Sequence, residues 1–356
     1  MRQLHNTVVL TGNTRTGKST ALRQFLSPKS SSHGFLSIDQ AGKRMLFFLN
    51  SSTFMTFETE ADQGFETESI GRFHFLKSTF ERAKEYLRSS FTPKPHWWVV
   101  DEIGPLELYG KGFEPDFGQA LAKMEQQSQT CFFVVVREKL IDAFKQQYGI
   151  PSCILTKSTL QTMDETVGVV LCGGKSERMG TPKALLCYHN DMPQFQWVGN
   201  LLANIVNTIV ITNGQLDLPN YSGWTYIPDV AENQGPAAGV LAAFKANPNN
   251  HLLVCGCDYP LIRIADLVKL VAESEPAMAV CYKDQSSASL DPLVCFYHKS
   301  CLPIMEEWYS RGNRSLRHFL QTIPHQVLTP LDVQRMTSVD DTSAFHKIKS
   351  RLHGDH

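Results

Sequence analysis

Read along its length, the chain is a succession of short apolar runs separated by amphipathic stretches, and that succession starts twice. Near the beginning, the apolar run at 7–10 passes straight into Gly12-Asn13-Thr14-Arg15-Thr16-Gly17-Lys18-Ser19. Alternating apolar positions then predict a hairpin of 34–38 with 45–49, turning around Ala41-Gly42-Lys43. Phe75, Leu76, Phe80, Ala83 and Leu87 recur at helical spacing and predict a helix over 74–88, before Pro93 and Pro95 close the region. Residues 97–101 read as a buried strand ending in the acidic pair Asp101-Glu102. A helix at 117–124, a strand at 131–136, a helix at 139–147 and a short strand at 152–155 follow. Strands alternating with helices predict a largely parallel, wound α/β sheet.

Residues 156–166 are polar, and the expected division is a first domain over 1–157, a linker over 158–166 and a second domain over 167–356. After the linker the pattern restarts with an apolar run at 167–171 that again opens into glycines. Further strands are expected at 208–212, 224–228, 251–255, 277–282 and 292–296. Helices are expected at 195–205, 236–246, 264–272, 301–309 and 343–352. No internal repeat or long low-complexity tract is visible.

Composition narrows the class without naming a chemistry. A chain of 356 residues exceeds what one core usually organises, which agrees with two domains of similar size. With 42% hydrophobic and 19% charged residues and a formal net charge of -1, it reads as globular, with no basic block for nucleic acid or a membrane surface. The first strand begins too early to leave room for a signal peptide, and no apolar run approaches the roughly 20 residues of a membrane span. A cytoplasmic protein is expected. The nine cysteines are odd in number, lie mostly in apolar runs and contain no C-x-x-C pair. Cys255-Gly256-Cys257 invites a metal reading, but buried thiols acting as small hydrophobes fit the context better, as does a reducing compartment.

The two loops carry the chemistry. Gly-x4-Gly-Lys-Ser between strand and helix lets successive backbone N–H groups face a phosphate tail, helped by the positive end of the helix that follows. An accidental turn is disfavoured by the strand before it and by Ala21-Leu22 after it. Lys18 is expected to reach the β- and γ-phosphates, and Gly12, Asn13, Thr14, Arg15, Thr16, Gly17, Ser19 and Thr20 complete the nucleotide-contacting set. Ser19 and Asp101 are the expected Mg²⁺ ligands, and Glu102 is placed to orient or deprotonate a water. Arg137, just after its strand, is either a charge stabiliser for the γ-phosphate or a solvated loop residue.

The second loop, Leu171-Cys172-Gly173-Gly174-x-Ser176-x-Arg178-Met179-Gly180-x-x-Lys183, has a different logic. Its glycines permit close approach to a nucleotide, while Arg178 and Lys183 supply charge to a triphosphate losing pyrophosphate. Asp229 precedes the Gly235-Pro236-Ala237-Ala238-Gly239 turn, and Asp258 follows a buried strand. Carboxylates at strand C-terminal ends are where a wound sheet places its ligands. Asp258 is the expected Mg²⁺ ligand. Asp340, in Ser338-Val339-Asp340-Asp341-Thr342, either completes that metal site or caps the last helix.

In its first half the chain resembles the small P-loop nucleoside triphosphatases first known from hyperthermophiles. The resemblance rests on the P-loop, on His33-Gly34-Phe35 and above all on Val100-Asp101-Glu102-Ile103-Gly104-Pro105-Leu106-Glu107-Leu108. It covers most of residues 5–155 and implies hydrolysis of nucleoside triphosphates with loose base preference. The second half resembles the molybdenum cofactor nucleotidyltransferases, the guanylyltransferase in particular. That likeness runs through Leu-x-Gly-Gly-x-Ser-x-Arg-Met-Gly, Gly-Pro-x-Ala-Gly, Cys257-Asp258-Tyr259-Pro260, Asp291-Pro292-Leu293 and Ser338-Val339-Asp340. It implies that Leu171, Cys172, Gly173, Gly174, Lys183 and Asp229 line the nucleotide and that Asp258 binds a nucleotide-bridged Mg²⁺. The family's asparagine near the second strand falls at Asn213 or at Thr212.

Together the resemblances imply a P-loop NTPase wound sheet followed by a Rossmann-like, three-layer α/β/α nucleotidyltransferase domain. The implied transfer is of GMP from GTP to molybdopterin or its metal-loaded form, with pyrophosphate leaving, and the implied partners are molybdoenzymes or cofactor chaperones. Pro182 before Lys183 is shared with cytidylyltransferase relatives, so CTP stays open beside GTP. A sugar-phosphate acceptor is the other alternative, and the first domain is alternatively a nucleotide-dependent regulatory module.

Overall fold

In a computed structural model, the described residues are 1–13, 16–29, 31–61, 63–89, 94–126, 130–173, 180–214, 216–230, 235–283 and 289–354. The chain divides into two compact units, Met1–Gln161 and Thr162–His356. The strands of the first unit are β1 (Thr7–Leu10), β2 (Ser32–Gln40), β3 (Lys43–Phe48), β4 (Thr53–Thr56), β5 (Glu58–Thr59), β6 (Thr67–Ile70), β7 (Phe73–Leu76), β8 (Trp97–Ile103), β9 (Cys131–Val136) and β10 (Cys153–Leu155). Its helices are α1 (Lys18–Leu26), α2 (Lys77–Arg88), α3 (Pro105–Leu108), α4 (Asp116–Gln126) and α5 (Ile141–Gln147), and α6 (Lys157–Asp164) crosses the division. Seven strands form one sheet in the order β10-β1-β9-β8-β2-β3-β4. The first five run parallel, and β3 and β4 extend the sheet antiparallel as the expected hairpin and one strand more.

Sequence and backbone agree closely here. The central strands β1 and β9, and β8 as far as Val100, are dominated by buried apolar residues because both faces are covered, as parallel strands require. Gly34 in β2 has φ +105°, and a Cβ on it would stand 1.9 Å from the Val99 carbonyl oxygen, so the close pairing of β2 with β8 needs a glycine at that point. The core is rich in aromatic rings: Phe80 meets Phe113 at 4.9 Å and Phe57 at 5.0 Å, both edge to face.

Two expectations need correcting. The helix predicted from residue 74 begins at Lys77, because Phe73–Leu76 is instead β7, the centre of a small sheet ordered β5-β7-β6. Phe75 of that sheet and Phe57, just before β5, are both buried and meet in a tilted ring pair at 4.7 Å. The polar stretch read as a linker is largely α6, whose Leu160 and Met163 are buried. Its few apolar residues lie three apart on one face, enough to dock a short helix.

The second unit contains β11 (Thr166–Leu171), β12 (Cys187–His189), β13 (Met192–Pro193), β14 (Thr208–Thr212), β15 (Trp224–Ile227), β16 (His251–Gly256), β17 (Ala279–Lys283), β18 (Leu290–Tyr297) and β19 (His325–Leu328). Its helices are α7 (Gln194–Ala203), α8 (Pro236–Ala246), α9 (Ile264–Ala272), α10 (Cys301–Ser310), α11 (Leu316–Thr322) and α12 (Thr342–Gly354). The sheet order is β15-β14-β11-β16-β18-β17-β19, with β18 alone running against the others. Helices α8 and α9 match their expected bounds, and α11, β19 and the β12–β13 pair were not expected. Each of these is too short for its periodicity to stand out. None of the nine cysteines is in a disulfide, and eight of them are buried. Among the described residues no helix is long and apolar enough to cross a membrane.

Candidate functional sites

In the first unit the C-terminal ends of β1, β2 and β8 open on a cleft of about 200 Å³ lined by Lys18, Ser19, Asp101, Glu102, Arg44 and Arg137, among others. Gly17, with φ +77°, is the last residue before α1, so the loop's second glycine takes the left-handed turn that starts the helix. Lys18 Nζ donates to the carbonyls of Gly12 at 3.0 Å and Asn13 at 2.5 Å, and Thr16 Oγ1 donates to Asn13 O at 2.9 Å. Burial lowers the Lys18 pKa, and Asp101 and Glu102 pull the other way. Ser19 and Thr20 also line the cleft. Thr14 and Arg15 lie outside the described residues.

Asp101 is fully enclosed at the end of β8. Its Oδ2 accepts from the Ser37 N–H at 2.9 Å, its Oδ1 from the Glu102 N–H at 2.7 Å, and the Ser19 hydroxyl also bonds to it. Burial, reinforced by the neighbouring Glu102, pushes its carboxyl up to about 7. The enclosed carboxylate and the serine hydroxyl are hard oxygen donors of the kind a small divalent cation takes together with phosphate oxygens, and the adjoining lysine adds a positive charge beside them.

Glu102 is the residue whose placement the sequence does not disclose. It has φ +69°, and the register of β8 against β9 slips between Val100 and Ile103. A bulge with left-handed backbone at a non-glycine residue re-aims a side chain at some conformational cost. The carboxylate so turned meets Arg137 Nη2 at 3.2 Å through one oxygen and Arg44 Nη1 at 3.7 Å through the other. Glu107, from the same diagnostic block, lies elsewhere. It is buried and accepts from the N–H groups of Gly104 (2.8 Å) and Phe113 (3.1 Å), so it ties down the loop after β8. Burial pushes its carboxyl up to about 7 against those two bonds.

In the second unit, β11, β14 and β16 end side by side. Leu171 and Cys172 are buried, Gly173 is exposed, and the Cys172 N–H donates to the Thr212 carbonyl at 2.9 Å. Cys172 Sγ lies 3.7 Å from Cys257 Sγ at the tip of the adjoining strand. Gly174 and Arg178 lie outside the described residues. Three glycines close around Asp229. A Cβ on Gly173 would come within 3.4 Å of its Oδ2, one on Gly214 within 3.9 Å of the same oxygen, and one on Gly239 within 3.2 Å of its Oδ1. Among the described residues that buried Oδ1 has no hydrogen-bond partner, and burial raises the pKa of the group. Asn213 spends its side chain on its own turn, donating to Leu216 O at 2.9 Å, whereas buried Thr212 faces inward towards Gly239.

Lys183 joins the distant pieces. Its Nζ lies 3.3 Å from Asp258 Oδ1 and 2.6 Å from Asp340 Oδ1, although Asp340 is 157 residues away in sequence. Burial works against its charge, but the two carboxylates overcome that and raise its pKa. The Val339 N–H donates to the Asp258 carbonyl at 2.9 Å, which pins the 338–340 segment there. Asp341 Oδ1 accepts from the Ala344 N–H at 2.8 Å and thus caps α12, while Asp340 accepts from Lys183 and, at 3.2 Å, from the Ser338 hydroxyl. Among the described residues no group of three or more His, Cys, Asp or Glu is arranged to hold a metal. Two carboxylates suit a cation that takes its other ligands from phosphates and water.

Comparison with known proteins supports both halves. Residues 168–327 match the family described as MobA-like NTP transferase domain, and residues 7–167 match the family described as NTPase. A probable molybdenum cofactor guanylyltransferase of Nostoc sp. is 31% identical over 175 residues, which are 47% of this chain and 82% of that protein. The chain belongs to the MobA-like NTP transferase family. An NTPase-family domain precedes the transferase domain. Among solved structures, the molybdopterin-guanine dinucleotide biosynthesis protein A of Archaeoglobus fulgidus covers 53% of this chain and 99% of its own, at 17% identity and TM-score 0.44. THEP1 of Aquifex aeolicus covers 43% and 91%, at 14% identity and TM-score 0.34. The two α/β domains, each with a seven-stranded mixed sheet, have the P-loop NTPase and MobA-like nucleotidyltransferase folds.

Proposed function

We propose that the chain is a bifunctional enzyme. Its second unit transfers GMP from GTP to the terminal phosphate of molybdopterin or its metal-loaded form, and its first unit hydrolyses nucleoside triphosphates. The observation that carries the transferase reading is the convergence of Lys183, Asp258 and Asp340 at the ends of the strands where Gly173 and Asp229 lie. In the reaction, an oxygen of the acceptor phosphate attacks the α-phosphorus of GTP, and the bond to the β-phosphate breaks to release pyrophosphate. The nucleophile belongs to the substrate, so the protein's part is to position groups and neutralise charge. Lys183 moves from its carboxylates to the phosphate tail, and Asp229 offers its unpartnered oxygen to the nucleoside side. Asp258 and Asp340 would hold Mg²⁺ here, and Ser19 with Asp101 would hold it in the first unit. When bound, the ion supplies positive charge to phosphate oxygens.

Hydrolysis in the first unit rests on Lys18, the enclosed Asp101 and the re-aimed Glu102, which activates the attacking water. The family likeness supports a molybdopterin-like acceptor, and cysteines outside any disulfide support a reducing, cytoplasmic setting in which molybdoenzymes or cofactor chaperones receive the product. Incubating the protein with each labelled NTP and Mg²⁺, with and without molybdopterin, tests the whole reading. A guanine dinucleotide and pyrophosphate are expected only with acceptor, and phosphate release is expected regardless. A cytosine dinucleotide would move the base assignment to CTP, and a product only with a sugar phosphate would replace the acceptor.

A further inference from the structure

The cleft of the first unit contains a second arginine that neither the P-loop nor the acidic pair explains. Arg44 lies on β3, outside the parallel part of the sheet. Its Nη1 is 3.7 Å from Glu102 Oε1 and its Nε is 3.7 Å from Glu58 Oε2, on β5 of the small sheet. Its guanidinium also sits 5.5 Å from the Phe73 ring centre and 5.6 Å from that of Phe75, both on β7. Two carboxylates and two rings fix this side chain from three strands, and it retains 19% exposure inside the cleft. Arg137 contrasts with it on the opposite oxygen of Glu102. It follows β9, is 38% exposed, and the bond and ion pair found for it are both with Glu102.

We propose that Arg44 is a positioning residue for Glu102. Resting on the hydrolase reading above, the inference is that Arg44 keeps the carboxylate aimed at the attacking water while Arg137 is released to the incoming phosphate tail. A carboxylate held only by Arg137 would lose its orientation when that arginine turns to the nucleotide. One held by both keeps a fixed anchor. The anchor in turn makes the small β5-β7-β6 sheet part of the catalytic apparatus, since Glu58, Phe73 and Phe75 hold the guanidinium. Arginine suits the task because its planar fork serves two carboxylates at once and stacks on rings, which an ammonium group does not do.

The test uses the full chain with Arg44→Ala, Arg44→Gln, Arg44→Lys, Glu102→Gln and Arg44→Ala/Glu102→Gln. Phosphate release with Mg²⁺ is followed beside equilibrium binding of a fluorescent ATP analogue. Arg44→Ala should lower kcat by about 30-fold or more, with KM and analogue affinity within about threefold of the parent, the pattern of a lost transition-state arrangement. Arg44→Lys should recover part of kcat. In the Glu102→Gln background, Arg44→Ala should cost nothing further in single-turnover rate, because both substitutions remove one function. Arg44→Gln takes the place of the alanine variant if that one no longer binds the analogue. A raised KM at unchanged kcat would make Arg44 a substrate contact, and an equal loss in both backgrounds would detach it from Glu102. Either result overturns the proposal, as does an unchanged kcat. A parent protein without phosphate release would instead overturn the hydrolase reading.

Discussion

The two candidate nucleotide sites hold their lysines in different company. Lys18 of the first unit is turned onto carbonyl groups of its own loop, Gly12 and Asn13. Lys183 of the second stands between the carboxylates of Asp258 and Asp340. Leaving two neutral acceptors is easily offset by a phosphate. Leaving two carboxylates is not, unless another cation replaces the ammonium group. Under the proposed reading, loading of metal and nucleotide is therefore more tightly linked in the transferase than in the hydrolase. The acidic partners differ in the same sense. Asp101 is enclosed and fixed by two backbone N–H groups, whereas Asp340 is exposed and reaches Lys183 from a segment pinned through Val339.

The strongest challenge to this contrast is to separate the sites. Asp258→Ala should lower dinucleotide formation by about 100-fold or more and leave phosphate release within about twofold, and Lys18→Ala should do the reverse. Both rates are to be read on one preparation. Loss of both activities in a folded variant would end the picture of two independent sites. Next in size is Gly34→Ala, which drives a methyl group into the Val99 carbonyl. It should destabilise the first unit by about 4 kcal/mol or more, seen in calorimetry as a fall in that unit's transition with the transferase transition in place. Asp340→Asn should reduce transfer by about tenfold, the worth of one charged contact, and should weaken the rise of rate with Mg²⁺ concentration. Smallest is Asp341→Ala, which removes the α12 cap. About 1 kcal/mol of stability should go, with transfer at the parent rate at saturating substrate. If Asp341→Ala were the more damaging of the two for transfer, the division between metal-side and capping aspartate would be reversed.

Much of this arrangement was legible in the order of residues. Continuous apolar runs identify β1, β9 and β11 because a strand covered on both faces has no polar side, and the glycine-rich loops sit where β1 and β11 end. The metal-side candidates Asp101 and Asp258 were visible for the same reason. What escaped was set by tertiary contact. Glu102 stood out as a candidate base beside Asp101, but its bulge and its two arginines depend on strand register across β8 and β9. Glu107 belongs to the most diagnostic block, yet the structure assigns it to holding a loop. Arg44 lies in an ordinary hairpin strand and gains meaning only when β5 and β7 fold over it. The helix α6 was hidden because polar residues dominate its sequence and only Leu160 and Met163 need cover.

The twisted backbone at Glu102 has an evolutionary corollary. A glycine there would sit comfortably at φ +69° and relax the bulge, but would delete the carboxylate. Selection for heat resistance alone should drift towards glycine or asparagine at position 102, and selection for turnover should drive it back. Under the proposed hydrolase reading, the kink marks a spot where durability and catalysis compete.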